Sequence, residues 1–322
     1  MEKPSNEIVS VVVVTCGGHE YIKPCLDSVH AQTYPHLQTV IIDNSLKKDF
    51  ALRMAEQYPG ATIYSASSNL FYCGGLNKGI SLSCGDFILC LNDDVILDAH
   101  FIEYGLRGFR IDPAVGMVSG KIVRMDGITL DSTGLYVSLW GTARERGYGR
   151  KDGGQFQRPG FVFGVTGAAA FYRRHTLLSI REAEDAYCDP VFRFFYEDLD
   201  MSWRAQRKGW KAYYVPQATA MHARGATVRA GCGVGQPYAR LYLSDGLQAD
   251  LIKNRYLTII KNASFWDVCL RLPFLVWYEL LVWGYAICFR PRLIRSIIPL
   301  CAYAKAALHK RRSLTKRLYR DR

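Results

Sequence analysis

The chain has 322 residues, 49% hydrophobic and 22% charged, a balance that excludes a mainly disordered polypeptide and suits one large globular domain or two smaller ones. A formal net charge of +12 requires a partner of opposite sign: nucleic acid, an anionic membrane surface or a phosphorylated small molecule. Ten cysteines without a C-x-x-C pair, several of them inside apolar runs, predict reduced, buried thiols in a cytosolic setting. The start, MEKPSNEIVSVVVV, lacks the basic n-region and small-residue cleavage site of a secretory signal and predicts a chain on the cytosolic side.

From Ile8 to Thr15 the run IVSVVVVT is rich in β-branched residues and free of charge, which predicts a strand buried on both faces. A helix follows over Tyr21 to Gln32, with Ile22, Leu26 and Val29 on one face. TYPHLQTVIIDNS then gives a Pro-marked turn, a second buried strand (Leu37 to Ile42) and a polar stop at Asp43. ATIYSA, the helical LNKGISLS and the apolar FILCL from Phe87 continue the alternation of strand and helix. This is the grammar of an open parallel α/β sheet, whose ligands gather at the strand C-termini.

Residues Met117 to Asp152 carry short strand-like runs, and the Gly/Arg-rich GTARERGYGRKDGGQ reads as a mobile loop. Order returns at FVFGVTGAAAFYRR. In FFYEDLDMSWRAQRKGW, Leu199, Trp203 and Gln206 take helical spacing, and Gly209 ends the helix. KAYYVPQATAMHARG reads as a strand, a turn and a polar end. The composition shifts at Asp245, giving an expected division into residues 1–244 and 245–322. Leu272 to Phe289 is almost wholly apolar, with Glu279 near its middle and Pro273 and Pro291 at its ends. A helix hairpin in the membrane plane, or a helix in the bilayer interface, fits it better than a span. Beyond it, Lys and Arg are set among Leu, Ile and Tyr up to Arg322, a mixture suited to an anionic membrane surface and not to a nucleic-acid groove.

Several clusters are able to carry chemistry. Asn92, Asp93 and Asp94 break the strand FILCL, and adjacent carboxylates there need either water or a cation. Along an extended segment Asn92 and Asp94 point the same way, and Mg²⁺ or Mn²⁺ takes one or two protein oxygens, the rest coming from water and phosphate. Two solvated carboxylates in a turn is the competing reading. Glu197, Asp198 and Asp200 form an acidic first turn, which is structural at many helices. The flanking Phe194, Phe195, Tyr196 and Trp203 instead suggest a pocket that raises a carboxylate toward the range of a general base. His222 is a lone histidine after a strand, with Arg224 and Gly225 beside it as possible oxyanion donors. Gly74 and Gly75 precede a helix, as at an anion site, while Gly164 and Gly167 admit either close backbone approach or tight packing.

In order along the chain, VVVVTCGGHEYIKPCLDSVHAQTYP, VIIDNS, NLFYCGGLNKGI, GDFILCLNDDV, GVTGAAAFYRR, FFYEDLDMSWRAQRKGW and VPQATAMHARG resemble family 2 glycosyltransferases of the GT-A fold, most like their bacterial rhamnosyltransferase branch. The likeness covers about residues 8 to 260. It implies a mixed, mostly parallel central sheet flanked by helices, and inverting, metal-dependent transfer from a nucleotide-diphospho-sugar. Thr15 and Asp43 match the positions that hold base and ribose. Asn92, Asp93 and Asp94 match the DxD motif, with Asn in place of its first Asp, so that ligation of Mg²⁺ or Mn²⁺ falls on Asp94. Asp198 matches the catalytic base, and His222 a histidine that helps bind metal or diphosphate. Gly74, Gly75 and Asn77 match the donor loop, and Gly167 the segment near the transferred sugar. SWRAQRKGW replaces the Q-x-x-R-W of processive members, implying single-sugar transfer. The implied acceptor is a polyprenyl-diphosphate-linked glycan at the inner leaflet, and the implied donor dTDP-rhamnose. A sugar-phosphate nucleotidyltransferase would carry Lys or Arg in a Gly-rich loop after the first strand, and none occurs before Lys23. A catalytically inactive sugar-nucleotide-binding scaffold is the other alternative, favoured only by Asn92.

Overall fold

A computed structural model describes residues 6–17, 20–224, 243–297 and 300–320. In chain order the elements are β1 (Val9–Thr15), α1 (Ile22–His30), β2 (Leu37–Asp43), α2 (Lys48–Gln57), β3 (Thr62–Ser65), α3 (Phe71–Leu82), β4 (Phe87–Asn92), β5 (Val95–Leu97), α4 (Phe101–Phe109) and β6 (Val115–Arg124). These are followed by β7 (Leu130–Ser132), β8 (Leu135–Val137), β9 (Ala143–Glu145), β10 (Gly160–Val162), β11 (Ala169–Arg173), α5 (Arg174–Ile180), α6 (Glu197–Arg207) and β12 (Lys211–His222). The chain closes with α7 (Asp245–Asn262), α8 (Phe265–Phe289), α9 (Arg292–Ile297) and α10 (Leu300–Arg320).

The valines of β1 explain why it lies at the centre. Val9, Val11 and Val13 pack with residues of α1, α2 and α4 on one face, while Val12 and Val14 pack with α3, α5 and α6 on the other. The sheet runs β10-β12-β6-β11-β4-β1-β2-β3, with β5 beside β12 and β7 beside β6. Strands β4, β1, β2 and β3 are parallel, as are β6 and β12, and β11 joins these two halves antiparallel to both neighbours. The expected α/β class therefore holds, and the central sheet is mixed and mostly parallel, as the resemblance implies. The parallel register sets Thr15 beside Asp43, and Val14 beside Asn92, so three polar strand ends meet at one edge.

Several expectations need correction. Gly74 and Gly75 lie inside α3, not before it. A Cβ at Gly75 would stand 2.5 Å from Val14 Cγ1, and one at Gly79 would stand 2.2 Å from Val12 Cγ1. These two glycines, four apart on one helix face, let α3 press against β1, so their smallness is needed for packing. Gly79→Ala is expected to cost about 1–3 kcal/mol through overpacking, read as a lower urea midpoint at unchanged slope. An unchanged midpoint would show that the helix can retreat freely.

The Gly/Arg-rich run is an ordered strap and not a loose loop. It contains β9, exchanges backbone hydrogen bonds between Arg146 and Thr133–Gly134, and seats the Arg146 guanidinium 4.6 Å from the Tyr214 ring centroid and 5.1 Å from that of Phe156. The turn expected within KAYYVPQATAMHARG is a register shift between Val215 and Thr219 in one continuous β12, which is where a proline is tolerated in a strand. Among the described cysteines none forms a disulfide. Cys25, Cys73, Cys90 and Cys188 are buried, whereas Cys16, Cys84, Cys269, Cys288 and Cys301 are exposed. Cys232 and Gly225 lie outside the described residues.

Helix α8 begins at a capping box of Ser264 and Asp267 and runs through Pro273, which was expected at its end. Glu279 has a reason: Arg255 and Tyr256 of α7 both bond its carboxylate. The opposite side is open, with Leu270 75% and Trp277 56% exposed. Beneath α7 lies a buried charge network. Lys261, 0% exposed, bonds Asp189 Oδ2 and Asp200 Oδ2, each at 3.0 Å, and pairs with Glu182. Arg204 Nε bonds the same Asp200 Oδ2 at 2.9 Å, and Lys310 of α10 reaches Asp189 Oδ1 at 2.7 Å and Glu182 Oε2 at 2.8 Å.

Candidate active site

Polar residues from six segments converge at the C-terminal edge of the sheet. Thr15 Oγ1 accepts the Gly17 N–H at 3.0 Å, and Asp43 accepts the Ser45 N–H (2.8 Å) and the Ser65 hydroxyl (3.2 Å). Both residues are buried and shape their own turns at the strand ends. Asn92, Asp93 and Asp94 occupy the turn from β4 to β5. Strand alternation therefore does not apply beyond Asn92, and Asn92 and Asp94 take different partners. Tyr72 donates its hydroxyl to Asn92 Oδ1 at 2.7 Å, whereas Asp94 Oδ1 lies 3.2 Å from His222 Nε2.

His222 bridges two carboxylates, because its Nδ1 lies 2.8 Å from Asp131 Oδ2. Burial alone would depress the imidazole, yet its bonds to Asp131 and Asp94 outweigh burial and raise it to about 9. Arg224 Nε bonds the other oxygen of Asp131. Burial pushes the Asp131 carboxyl up, but Arg224 and His222 together hold it down at about 2. Among the described residues no group of three or more His, Cys, Asp or Glu is arranged to hold a metal. Once the imidazole gives up its Nε2 proton, the Asp94–His222 pair nonetheless fits a divalent cation that completes its shell with phosphate and water. Asp131 on Nδ1 orients the ring so that Nε2 faces Asp94, the arrangement by which a carboxylate aims a ligating imidazole.

Asp198 stands in the first turn of α6, behind a strained entry in which Phe195 (φ 67°) and Tyr196 (φ 69°) are both left-handed. Its Oδ2 accepts the Gly167 N–H at 3.0 Å and its Oδ1 the Leu199 N–H at 2.7 Å. Burial raises the carboxyl above its ordinary range, against the lowering effect of those amides. A Cβ on Gly167 would sit 3.3 Å from both Asp198 Oδ2 and Glu197 Oε1, so close approach is the reason for glycine here. The same turn reaches the other half of the site. The Ala168 carbonyl accepts the Asn92 N–H at 3.0 Å, and the Gly167 carbonyl lies 3.3 Å from the Tyr72 hydroxyl. Residues 166–168 thus tie the strand end at Asn92 to the carboxylate of Asp198.

The flanking aromatics do not wall Asp198 as expected. Phe194 packs edge-on against Phe71 and Trp203 against Phe163, whereas the small cavity beside Asp198 is lined by Tyr72, Tyr172 and Glu197. Asn77 is also placed elsewhere. Its amide donates to the Cys188 carbonyl at 2.8 Å and accepts from the Tyr187 and Cys188 N–H groups, which fastens that segment to α3. Sequence reasoning missed Tyr72, Asp131 and Glu145. Glu145 accepts from Thr166 Oγ1 at 3.0 Å and from Ser132, and burial followed by repulsion from Asp198 pushes it up to about 8. Glu197 is pushed up to about 8 for the same two reasons.

Residues 10–181 match the glycosyl transferase family 2 profile, and the chain belongs to that family. Its sheet and flanking helices form the GT-A fold. A curated relative, poly-beta-1,6-N-acetyl-D-glucosamine synthase of Staphylococcus aureus, is 23% identical over 207 residues, covering 62% of this chain and 46% of the relative. The chain thus spans about half the length of the curated relatives it matches. Similar solved structures include the mannosyltransferase PcManGT of Pyrobaculum calidifontis in complex with GDP-Man and Mn²⁺, with TM-score 0.55, 16% identity and coverage of 96% of this chain and 89% of that one. TarS of S. aureus in complex with UDP gives TM-score 0.56 at 13% identity, covering 98% of this chain and 92% of its own. GalNAc-T7 with UDP, GalNAc and Mn²⁺ gives TM-score 0.58 at 13% identity, covering 79% and 48%.

Proposed function

We propose that this chain is an inverting glycosyltransferase that moves one sugar from a nucleotide-diphospho-sugar to a hydroxyl of a glycan acceptor. The observation that carries the reading is Asp198: a carboxylate raised above its ordinary range, held by two amides, and tied through residues 166–168 to Asn92. In this role Asp198 accepts the acceptor hydroxyl proton as that oxygen attacks C1 of the sugar. The new C1–O bond forms on the face opposite the diphosphate, the old C1–O bond breaks, and the anomeric centre inverts. Asp94 and His222 would hold Mg²⁺ or Mn²⁺, which supplies charge neutralisation for the departing nucleoside diphosphate. Thr15 and Asp43 border the nucleotide. Two similar structures hold Mn²⁺ and three hold UDP or GDP-Man, which supports a metal and a nucleotide sugar here.

Single transfer is favoured over polymerisation, although the staphylococcal relative is named for a polymer. Where processive members carry Q-x-x-R-W, Gln206 here bonds the Phe163 carbonyl, Arg207 the Lys261 carbonyl and Trp210 the Ser179 hydroxyl. These side chains serve packing. The donor we propose is dTDP-L-rhamnose, on the resemblance of the motifs to the rhamnosyltransferase branch. Titration of a panel of UDP-, GDP- and dTDP-sugars, with and without Mg²⁺ or Mn²⁺, tests both donor and metal. One donor is expected to bind with metal, and Asp94→Ala is expected to weaken it at least about tenfold. Binding of no nucleotide sugar under any metal condition would end the enzymatic reading in favour of an inactive scaffold.

Residues 1–244 then form the catalytic domain, and 245–322 a helical region that docks on the cytoplasmic face of the membrane and brings a polyprenyl-diphosphate-linked acceptor to the cleft. Helix α8 supports this, being long and apolar enough to cross a membrane yet almost unburied, with Arg290 and Arg292 following it. Flotation with vesicles rich in phosphatidylglycerol is expected to recover the intact chain. Substituting Leu270→Gln, Trp277→Gln and Leu281→Gln together should cut that recovery several-fold, and undiminished recovery would refute docking through α8.

A further inference from the structure

Arg124 ends β6 as the register partner of His222, on the half of the sheet away from Thr15 and Asp43. Its guanidinium carbon lies 4.9 Å from the centroid of Tyr148, and that of Arg224 lies 4.7 Å from the same centroid. One exposed ring therefore gathers two cations against their mutual repulsion. Asp131 neutralises Arg224 but shares itself with His222. Asp126, the carboxylate nearest Arg124 in sequence, gives its hydrogen bonds to Thr129 and the Ile128 N–H and meets Arg124 only through space. Arg124 Nε is buried without a hydrogen bond among the described residues.

The hairpin of β8 and β9 connects this cluster to the apolar helix. At its tip the Trp140 ring packs edge-on against Phe274 of α8 at 5.8 Å, and a Cβ on Gly141 would stand 3.1 Å from Leu275. Past its base the chain reaches Tyr148, which is 45% exposed. A planar, fork-shaped donor pair suits a phosphate oxyanion, and Tyr148 follows in sequence the hairpin whose tip α8 touches.

We propose that Arg124, Tyr148 and Arg224 form an oxyanion site on the acceptor side of the cleft, taking the phosphate that joins a glycan acceptor to its lipid. The proposal rests on the glycosyltransferase reading and names the acceptor's anionic group as its ligand. The test is calorimetric titration of geranyl diphosphate into the intact chain saturated with Mn²⁺ and with whichever nucleoside diphosphate the donor panel selects. Wild type is expected to bind it. Arg124→Gln and Tyr148→Leu should each weaken that binding at least about tenfold while leaving nucleotide affinity and melting temperature unchanged, and Arg124→Lys should retain most of it. Absence of binding by wild type, or full binding by both variants, overturns the proposal. Weakened nucleotide binding in Arg124→Gln would assign the site to the donor's diphosphate and overturn it as well. Inorganic pyrophosphate binding as tightly as geranyl diphosphate would remove the lipid from the assignment. Failure of the glycosyltransferase reading shows separately, as absent nucleotide binding, and the titration without nucleotide then decides the oxyanion site alone.

Discussion

Asp198→Asn is expected to lower kcat by about 10²–10⁴-fold while donor affinity stays within about twofold. The asparagine has the shape of the carboxylate and one oxygen to accept from Gly167 or Leu199, but it accepts no proton from an attacking hydroxyl. Binding and chemistry should therefore separate in this variant, whereas Asp94→Ala loses both. The pH profile carries a second signature. A base must be ionised to act, and burial holds Asp198 above the ordinary carboxylate value of 3.8, so the acidic limb of kcat/KM should fall above that value. Undiminished turnover in Asp198→Asn would move the role to Glu145 or Glu197, the buried carboxylates whose charge Asp198 opposes.

The largest loss of stability is expected from Lys261→Met. The ammonium is fully buried and pairs with Glu182, Asp189 and Asp200. Removing one partner of a buried ion cluster leaves charges uncompensated and costs about 3–5 kcal/mol. Lys310→Met should cost clearly less, since its side chain is partly exposed and Lys261 remains beneath it. Urea denaturation of the two variants gives the comparison, and equal midpoints would show that the network is dispensable. The pH dependence has a definite sign. Asp189 and Asp200 are held below 3.8, the lysine offsetting their burial, so their contribution is present above that value and lost as pH falls below it. Lys261 is raised above 10.5, so its contribution is complete below that value and lost only at higher pH. Asp200 lies two residues from Asp198 on α6, so collapse of the network should also blunt catalysis.

The strands at the start of the chain were legible because valine and isoleucine runs buried on both faces admit few other readings, as in β1 and β2. The polar stop at Asn92–Asp94 was legible because it interrupts the apolar run of β4, and the acidic first turn of α6 because it opens a helix-spaced segment. Three kinds of feature were not. Gly75 read as part of an anion site before a helix, whereas with Gly79 it forms a packing face inside α3, since glycine answers two opposite needs. Asp131 and Glu145 lie in short strands that pair locally, but their side chains meet His222 and Thr166 from later in the chain, and no local pattern marks such a carboxylate. Asn77 matched a motif while its amide was committed to Tyr187 and Cys188, more than a hundred positions away.

Glu279 has a consequence for how a membrane-docked chain would meet its acceptor. Near the middle of α8, its carboxylate is bonded by Arg255 and Tyr256, both on α7 of the folded domain. Drawing it to the bilayer centre would strip those partners, and a carboxylate there costs about 2.5–3.5 kcal/mol on insertion scales. The helix is thus better built to lie along a membrane as a keel than to pass through it. A protein carried that way keeps its cleft at one height and one orientation while it diffuses sideways. The search for a lipid-borne acceptor becomes a walk in two dimensions, in which encounter is governed by surface density and not by concentration in the cytosol.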